Sequence, residues 1–169
     1  VDPVVSLPAG TNGVENNGSI RAEKGSINLV GMTVRQNGAL TATTAVKGQN
    51  GAIYLQASKT TNTAQAAKAA ELGEVELTAN SKTKVEIDTG GATQVDAETF
   101  YRSNIEILGK DVRIRGGALV EAKGGNIDVL ATSSQQPAGG ASALNDSGSS
   151  LVRDDATLVV ESGTVIDAS

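Results

Sequence analysis

One short pattern recurs along this chain and restricts its fold more than any other feature: a small residue followed by x-apolar-x-apolar. It occurs as Gly25-Ser-Ile-Asn-Leu29, Gly51-Ala-Ile-Tyr-Leu55, Gly73-Glu-Val-Glu-Leu77, Ser103-Asn-Ile-Glu-Ile107 and Gly125-Asn-Ile-Asp-Val129. The starts lie 26, 22, 30 and 22 residues apart. Separations clustered near one value, two of them lengthened, predict a β-solenoid of about 22 residues per coil with loop or short-helix insertions. In such a stack Ile27, Ile53, Val75, Ile105 and Ile127 would share one internal row.

A longer self-match supports the repeat. Ile27, Leu29, Gly31, Val34, Arg35 and Gly38 recur 78 residues later as Ile105, Ile107, Gly109, Val112, Arg113 and Gly116, which three coils with two insertions would accommodate. Each coil is expected to hold up to three strands: Ser26–Val30, Thr33–Gln36 and Ala39–Thr43 in the first copy, then Asn104–Leu108, Asp111–Arg115 and Ala118–Ala122. Val75 and Leu77 alternate with Glu74 and Glu76, and Val85 and Ile87 with Lys84 and Glu86, a strand signal with one face buried. Asn12-Gly13, Asn17-Gly18, Asn37-Gly38 and Asn50-Gly51 punctuate the strands; both residue types tolerate positive φ at tight corners. Asn-Gly also suits an antiparallel hairpin. Hairpins, however, do not require the same strand sequence at every turn of a coil, whereas stacking does.

Composition removes much of enzymology. Among 169 residues there is no cysteine and no histidine, so disulfide scaffolds, thiolate nucleophiles, Ser–His triads and the usual near-neutral general base are excluded. A net charge of −5 with three aromatic residues argues against a nucleic-acid partner. No apolar run approaches the ~18 residues of a membrane span, so the chain is not read as integral to a membrane. Beginning at Val1 and stopping inside the strand-like Thr164-Val-Ile-Asp-Ala-Ser169, residues 1–169 read as a single β-helical segment of something longer. About seven coils at ~4.8 Å would span roughly 34 Å.

Three stretches break the pattern: 58–72, alanine-rich and expected to form a short helix or loop; 89–102, holding Phe100 and Tyr101; and 132–150, a Ser/Gly/Ala-rich loop with Pro137. Excursions at coil corners are where repeat proteins usually place binding. The fourth position of the pattern reads Asn28, Tyr54, Glu76, Glu106 and Asp128. In register, Glu76, Glu106 and Asp128 would form an outward carboxylate column, a weak candidate for calcium or for acid–base work on a glycan. The plainer reading is a solvated face with Lys84, Lys110, Arg113 and Arg115 nearby, and no metal site is assigned. Tyr54, Phe100 and Tyr101 are the candidate ligand contacts. Asn17-Gly-Ser19 and Asn145-Asp-Ser147 match the glycosylation pattern.

The stretch Asn16-Asn-Gly-Ser-Ile-Arg-Ala-Glu-Lys-Gly-Ser-Ile-Asn-Leu-Val-Gly31, with Val34-Arg-Gln-Asn-Gly-Ala-Leu-Thr-Ala42, Gly51-Ala-Ile-Tyr-Leu-Gln-Ala57 and Glu161-Ser-Gly-Thr-Val-Ile-Asp-Ala-Ser169, resembles the filamentous haemagglutinin family, large exoproteins of Gram-negative bacteria. The likeness covers residues 14–57, 103–131 and the last strands. It implies a right-handed parallel β-helix, export by two-partner secretion through an outer-membrane β-barrel transporter, and a secreted or cell-surface role in adhesion, aggregation or biofilm formation. It carries over no catalytic residue and no cofactor, so the chain is read as a shaft and not as an enzyme. A host-cell, matrix or polysaccharide receptor is implied without being identified. Uncapped coils would also pair end to end between molecules. Three rivals stand beside this reading: a polysaccharide lyase or hydrolase using Glu76, Glu106, Asp128 and Arg113, a carbohydrate-binding module, and the stick of a secreted toxin.

Overall fold

The computed structural model describes residues 13–23, 25–44, 51–57, 73–87, 103–132 and 156–169. Every element among them is a strand. β1 (Gly13–Asn16), β4 (Thr33–Gln36), β7 (Glu74–Leu77), β10 (Asp111–Ile114) and β13 (Thr157–Val160) form sheet A. Sheet B holds β2 (Ser19–Glu23), β5 (Ala39–Thr44), β8 (Lys82–Ile87), β11 (Leu119–Ala122) and β14 (Val165–Asp167). Sheet C holds β3 (Ser26–Gly31), β6 (Ala52–Ala57), β9 (Asn104–Gly109) and β12 (Asn126–Ala131). Every third strand returns to the same sheet, and every pairing between described strands is parallel and in register. The chain is therefore a parallel β-helix with three faces. The hairpin reading of Asn-Gly is excluded, since it requires antiparallel neighbours.

The described strands make four complete rungs and two strands of a fifth, fewer than the seven coils expected from length. Long insertions account for the shortfall. A rung without them takes 20 residues (Gly13 to Thr33) or 22 (Asn104 to Asn126). Ser26 lies beside Ala52 and Ala52 beside Asn104, so the 78-residue self-match spans two rungs and not three. The expected excursions at 58–72, 89–102 and 132–150, Thr132 apart, fall outside the described residues. In sequence they separate strands of sheet C from the next described strand of sheet A or the preceding one of sheet B.

Inside, like stacks on like. Ile27, Ile53, Ile105 and Ile127 form one row of sheet C, and Leu29, Leu55, Ile107 and Val129 the next. Val75 does not join them: it lies on sheet A in the row Val14–Val34–Val75–Val112–Leu158. The cause is that strands on all three faces carry the same alternation. An insertion before Gly73 therefore moves the pattern one face onward without altering how it reads. Val75, Leu77, Ile53, Ile105 and Ile107 are fully buried, each burial contributing roughly 1.5–3 kcal/mol. Alternation also misplaces Ile87, which is 53% exposed as the last residue of β8; Val85 on the same strand is buried as expected.

The corner between sheets A and B changes character along the stack. In the first two rungs it is Asn17-Gly18 and Asn37-Gly38, and the inward row there is Asn16 and Gln36. Asn16 Nδ2 donates to Gln36 Oε1 at 2.8 Å, and Gln36 Nε2 donates to the carbonyls of Gly38 (2.9 Å) and Lys82 (3.3 Å). Later corners have four residues, closed by backbone bonds from Ser81 N to Thr78 O, Ala118 N to Arg115 O and Thr164 N to Glu161 O. With the corner closing itself, the inward row turns aliphatic as Leu77, Ile114 and Val160.

Glycine is needed at the early corner because of crowding and not because of positive φ. A β-carbon on Gly38 would overlap the Gly18 carbonyl oxygen, whereas Gly18 itself has open space. Positive φ occurs instead at Gly117 (91°), Gly124 (63°) and Gly163 (88°).

The two ends differ. In the first rung Val14 is 8% and Ile27 2% exposed, so the core there is covered. At the last rung the inward residues Leu158, Val160 and Ile166 are 45–48% exposed, above edge strands β13 and β14.

Candidate functional surface

With the interior filled by side chains, chemistry is carried by the three outer faces. Sheets A and B are built as ion-pair ladders. On sheet A, Glu76 stands in register between Arg35 and Arg113. Arg35 Nε donates to Glu76 Oε2 at 3.0 Å, and Arg115, from the corner beyond β10, donates to Glu76 Oε1 at 2.8 Å. Arg115 continues to Glu161 Oε1 at 2.6 Å, and Glu161 Oε2 accepts the Gly116 N–H at 3.1 Å. The chain Arg35–Glu76–Arg115–Glu161 thus ties four rungs together.

Although it points outward, Glu76 is only 8% exposed, because the two guanidinium groups enclose it. The Arg115 hydrogen bond, with Arg35, outweighs its burial and holds the carboxyl below its ordinary 4.5. Glu161 is lowered by Arg115 and Gly116, and Arg115 is raised by Glu161 and Glu76. A carboxylate so clamped is a poor proton donor near neutral pH. On sheet B, Glu121 accepts from Lys84 at 2.9 Å and Lys123 at 3.3 Å, and its carboxyl is lowered, chiefly by Lys84.

Sheet C is different. Its outward rows are Asn28–Tyr54–Glu106–Asp128 and Val30–Gln56–Leu108–Leu130. Glu106 and Asp128 are register neighbours, as the sequence suggested, and Tyr54 lies beside Glu106. Glu76 is not in this column but on sheet A, one face away, for the same reason that Val75 is displaced. Of the four expected cations only Lys110 borders sheet C, at the corner after Gly109; Arg113 is on sheet A, Lys84 on sheet B, and Arg115 at the corner between those two sheets. Phe100 and Tyr101 lie outside the described residues, as does Asn145, while Asn17 is exposed at a corner.

Among the described residues no three acidic side chains gather as metal ligands, and no helix is long and apolar enough to cross a membrane. The Arg35–Glu76–Arg115–Glu161 chain was not anticipated, since Arg115 and Glu161 lie in corners whose register only the fold defines. Comparison with family models, curated proteins and solved structures finds no match to this chain.

Proposed function

We propose that this chain is a structural and interaction segment of a secreted or surface-exposed bacterial adhesin of filamentous haemagglutinin type, exported by two-partner secretion and acting in adhesion, aggregation or biofilm formation. The observation that carries the reading is the in-register parallel pairing of all three sheets, in which each described strand pairs with its counterparts in the rungs above and below. Such a stack lengthens without limit, folds rung by rung from one end as it leaves a pore, and presents its outer faces laterally. With no cysteine in the chain, export meets no disulfide to form or reduce. The open apolar interior of the last rung supports end-to-end association as a further mode of aggregation.

A glycan-cleaving rival needs two carboxylates acting on one substrate. Separation of the clamped Glu76 from Glu106 and Asp128 weighs against the trio proposed for it.

Beads coated with the purified chain should adhere to epithelial cells or matrix-coated surfaces above albumin-coated beads. Pectin and alginate, with or without calcium, should remain uncleaved. Turnover of either glycan, or adhesion no better than albumin, overturns the reading.

A further inference from the structure

On sheets A and B the two most enclosed carboxylates have cationic partners, Arg35 and Arg115 for Glu76 and Lys84 for Glu121, whereas Glu74 and Asp111 stack on sheet A without a cation in their row. Sheet C has no such cation on any of its strands. Its strands, Ser26–Gly31, Ala52–Ala57, Asn104–Gly109 and Asn126–Ala131, contain no lysine or arginine. The nearest cations in described segments, Lys110 and Lys123, stand at its two corners, and Lys123 turns to Glu121 of sheet B at 3.3 Å. On two successive rungs the outer face presents a carboxylate and a leucine two residues apart, Glu106 with Leu108 and Asp128 with Leu130. Two like charges are therefore stacked about 4.8 Å apart with no cation on that face among the described residues. Tyr54 adds an aromatic ring beside Glu106. Val30 and Leu130 are 52% and 54% exposed.

We propose that the outer face of sheet C is a docking surface for a cationic protein segment carrying aliphatic side chains. Charge complementarity selects this occupant. A lysine or arginine set between Glu106 and Asp128 relieves their repulsion, its alkyl stem covers Leu108 and Leu130, and its charged head can lie against the Tyr54 ring. An acidic or neutral glycan would leave the carboxylates unpaired and the leucines uncovered. The proposal names a partner class for the adhesive surface suggested above and rests on that reading for its biological setting.

The test is fluorescence anisotropy of a labelled peptide of alternating lysine and leucine added to the intact chain at physiological salt, with oligolysine and a glutamate–leucine peptide as comparators. Binding by the lysine–leucine peptide should weaken about tenfold in Glu106→Gln/Asp128→Asn and similarly in Leu108→Ser/Leu130→Ser. Glu15→Gln/Glu86→Gln, which changes net charge equally but lies on sheets A and B, should shift it less than about twofold. All six side chains point outward, and circular dichroism checks that each variant stays folded. Equal losses in both carboxylate pairs, preference for oligolysine, or no binding overturns the proposal. Bead adhesion measured in parallel separates the two claims: adhesion without peptide binding refutes the docking surface alone, and peptide binding without adhesion refutes the adhesin reading alone.

Discussion

Thr83 occupies an inward row that is otherwise aliphatic, Ile20–Leu40–Thr83–Val120–Ile166. It is fully buried, and neither its Oγ1 nor the Oγ of nearby Ser81 has a hydrogen-bond partner. Thr83→Val keeps the volume and the β-branching that suit a strand while removing the orphan hydroxyl. An unsatisfied buried hydroxyl costs about 1–3 kcal/mol, so the variant should gain on the order of 1–2 kcal/mol after allowance for partial relaxation. For a chain of this size that corresponds to roughly 2–8 °C in Tm. The reciprocal change, Val120→Thr one rung away, should lose a similar amount. Urea unfolding followed by far-UV circular dichroism gives both values, and hydrogen exchange on β5, β8 and β11 locates them, since a stack need not unfold as a single unit. If Thr83→Val is neutral or destabilising while Val120→Thr is costly, the hydroxyl is satisfied, most simply by a water shared with Ser81, and the reasoning fails.

Gly38→Ala should unfold or distort the second rung, because its β-carbon meets backbone that cannot rotate away, whereas Gly18→Ala at the equivalent corner should change stability by less than about 1 kcal/mol; paired thermal melts compare them directly. Acid should weaken the stack through its clamped carboxylates. The folded pKa of Glu76 lies below 4.5, so its contribution is complete above that pH and is lost as pH falls through the folded value. Glu76→Gln should therefore cost about 1 kcal/mol at pH 7 and flatten the acid limb of the stability curve, a result that a pH series of urea midpoints either shows or denies. Self-association through the open rung should appear as concentration-dependent sedimentation that Leu158→Lys/Ile166→Lys abolishes; unchanged sedimentation in that variant points to another surface.

Local alternation carried much of the architecture into view. The three-strand coil read between Ser26 and Thr43, and again between Asn104 and Ala122, matches the observed strands to within a residue or so at their ends. Position within one rung was legible because apolar-in, polar-out periodicity is a short-range property of strands. Position between rungs was not. Assigning Gly73-Glu-Val-Glu-Leu77 to a face requires knowing how many corners lie inside the insertion before it, and no local pattern records that number. One such error moved Val75 out of the isoleucine row and Glu76 out of the carboxylate column together.

The ion-pair chain shows why surface chemistry on a solenoid is harder to read than its core. Ile27 and Ile53 identify one another because like stacks on like, whereas Arg35, Glu76, Arg115 and Glu161 are unlike residues from strands and corners 39 to 46 positions apart in sequence. Their pairing follows from a change at the corner itself. Where the bend has two residues, Asn16 and Gln36 turn inward to bond the chain, and the corner asparagines bond one another, Asn37 Nδ2 donating to Asn17 Oδ1 at 2.7 Å. Where it has four, backbone bonds close the bend, the inward row becomes Leu77, Ile114 and Val160, and Arg115 and Glu161 at the bend's first position face outward to lace the rungs. Two added residues at one corner thus convert polar support inside the helix into ionic support outside it.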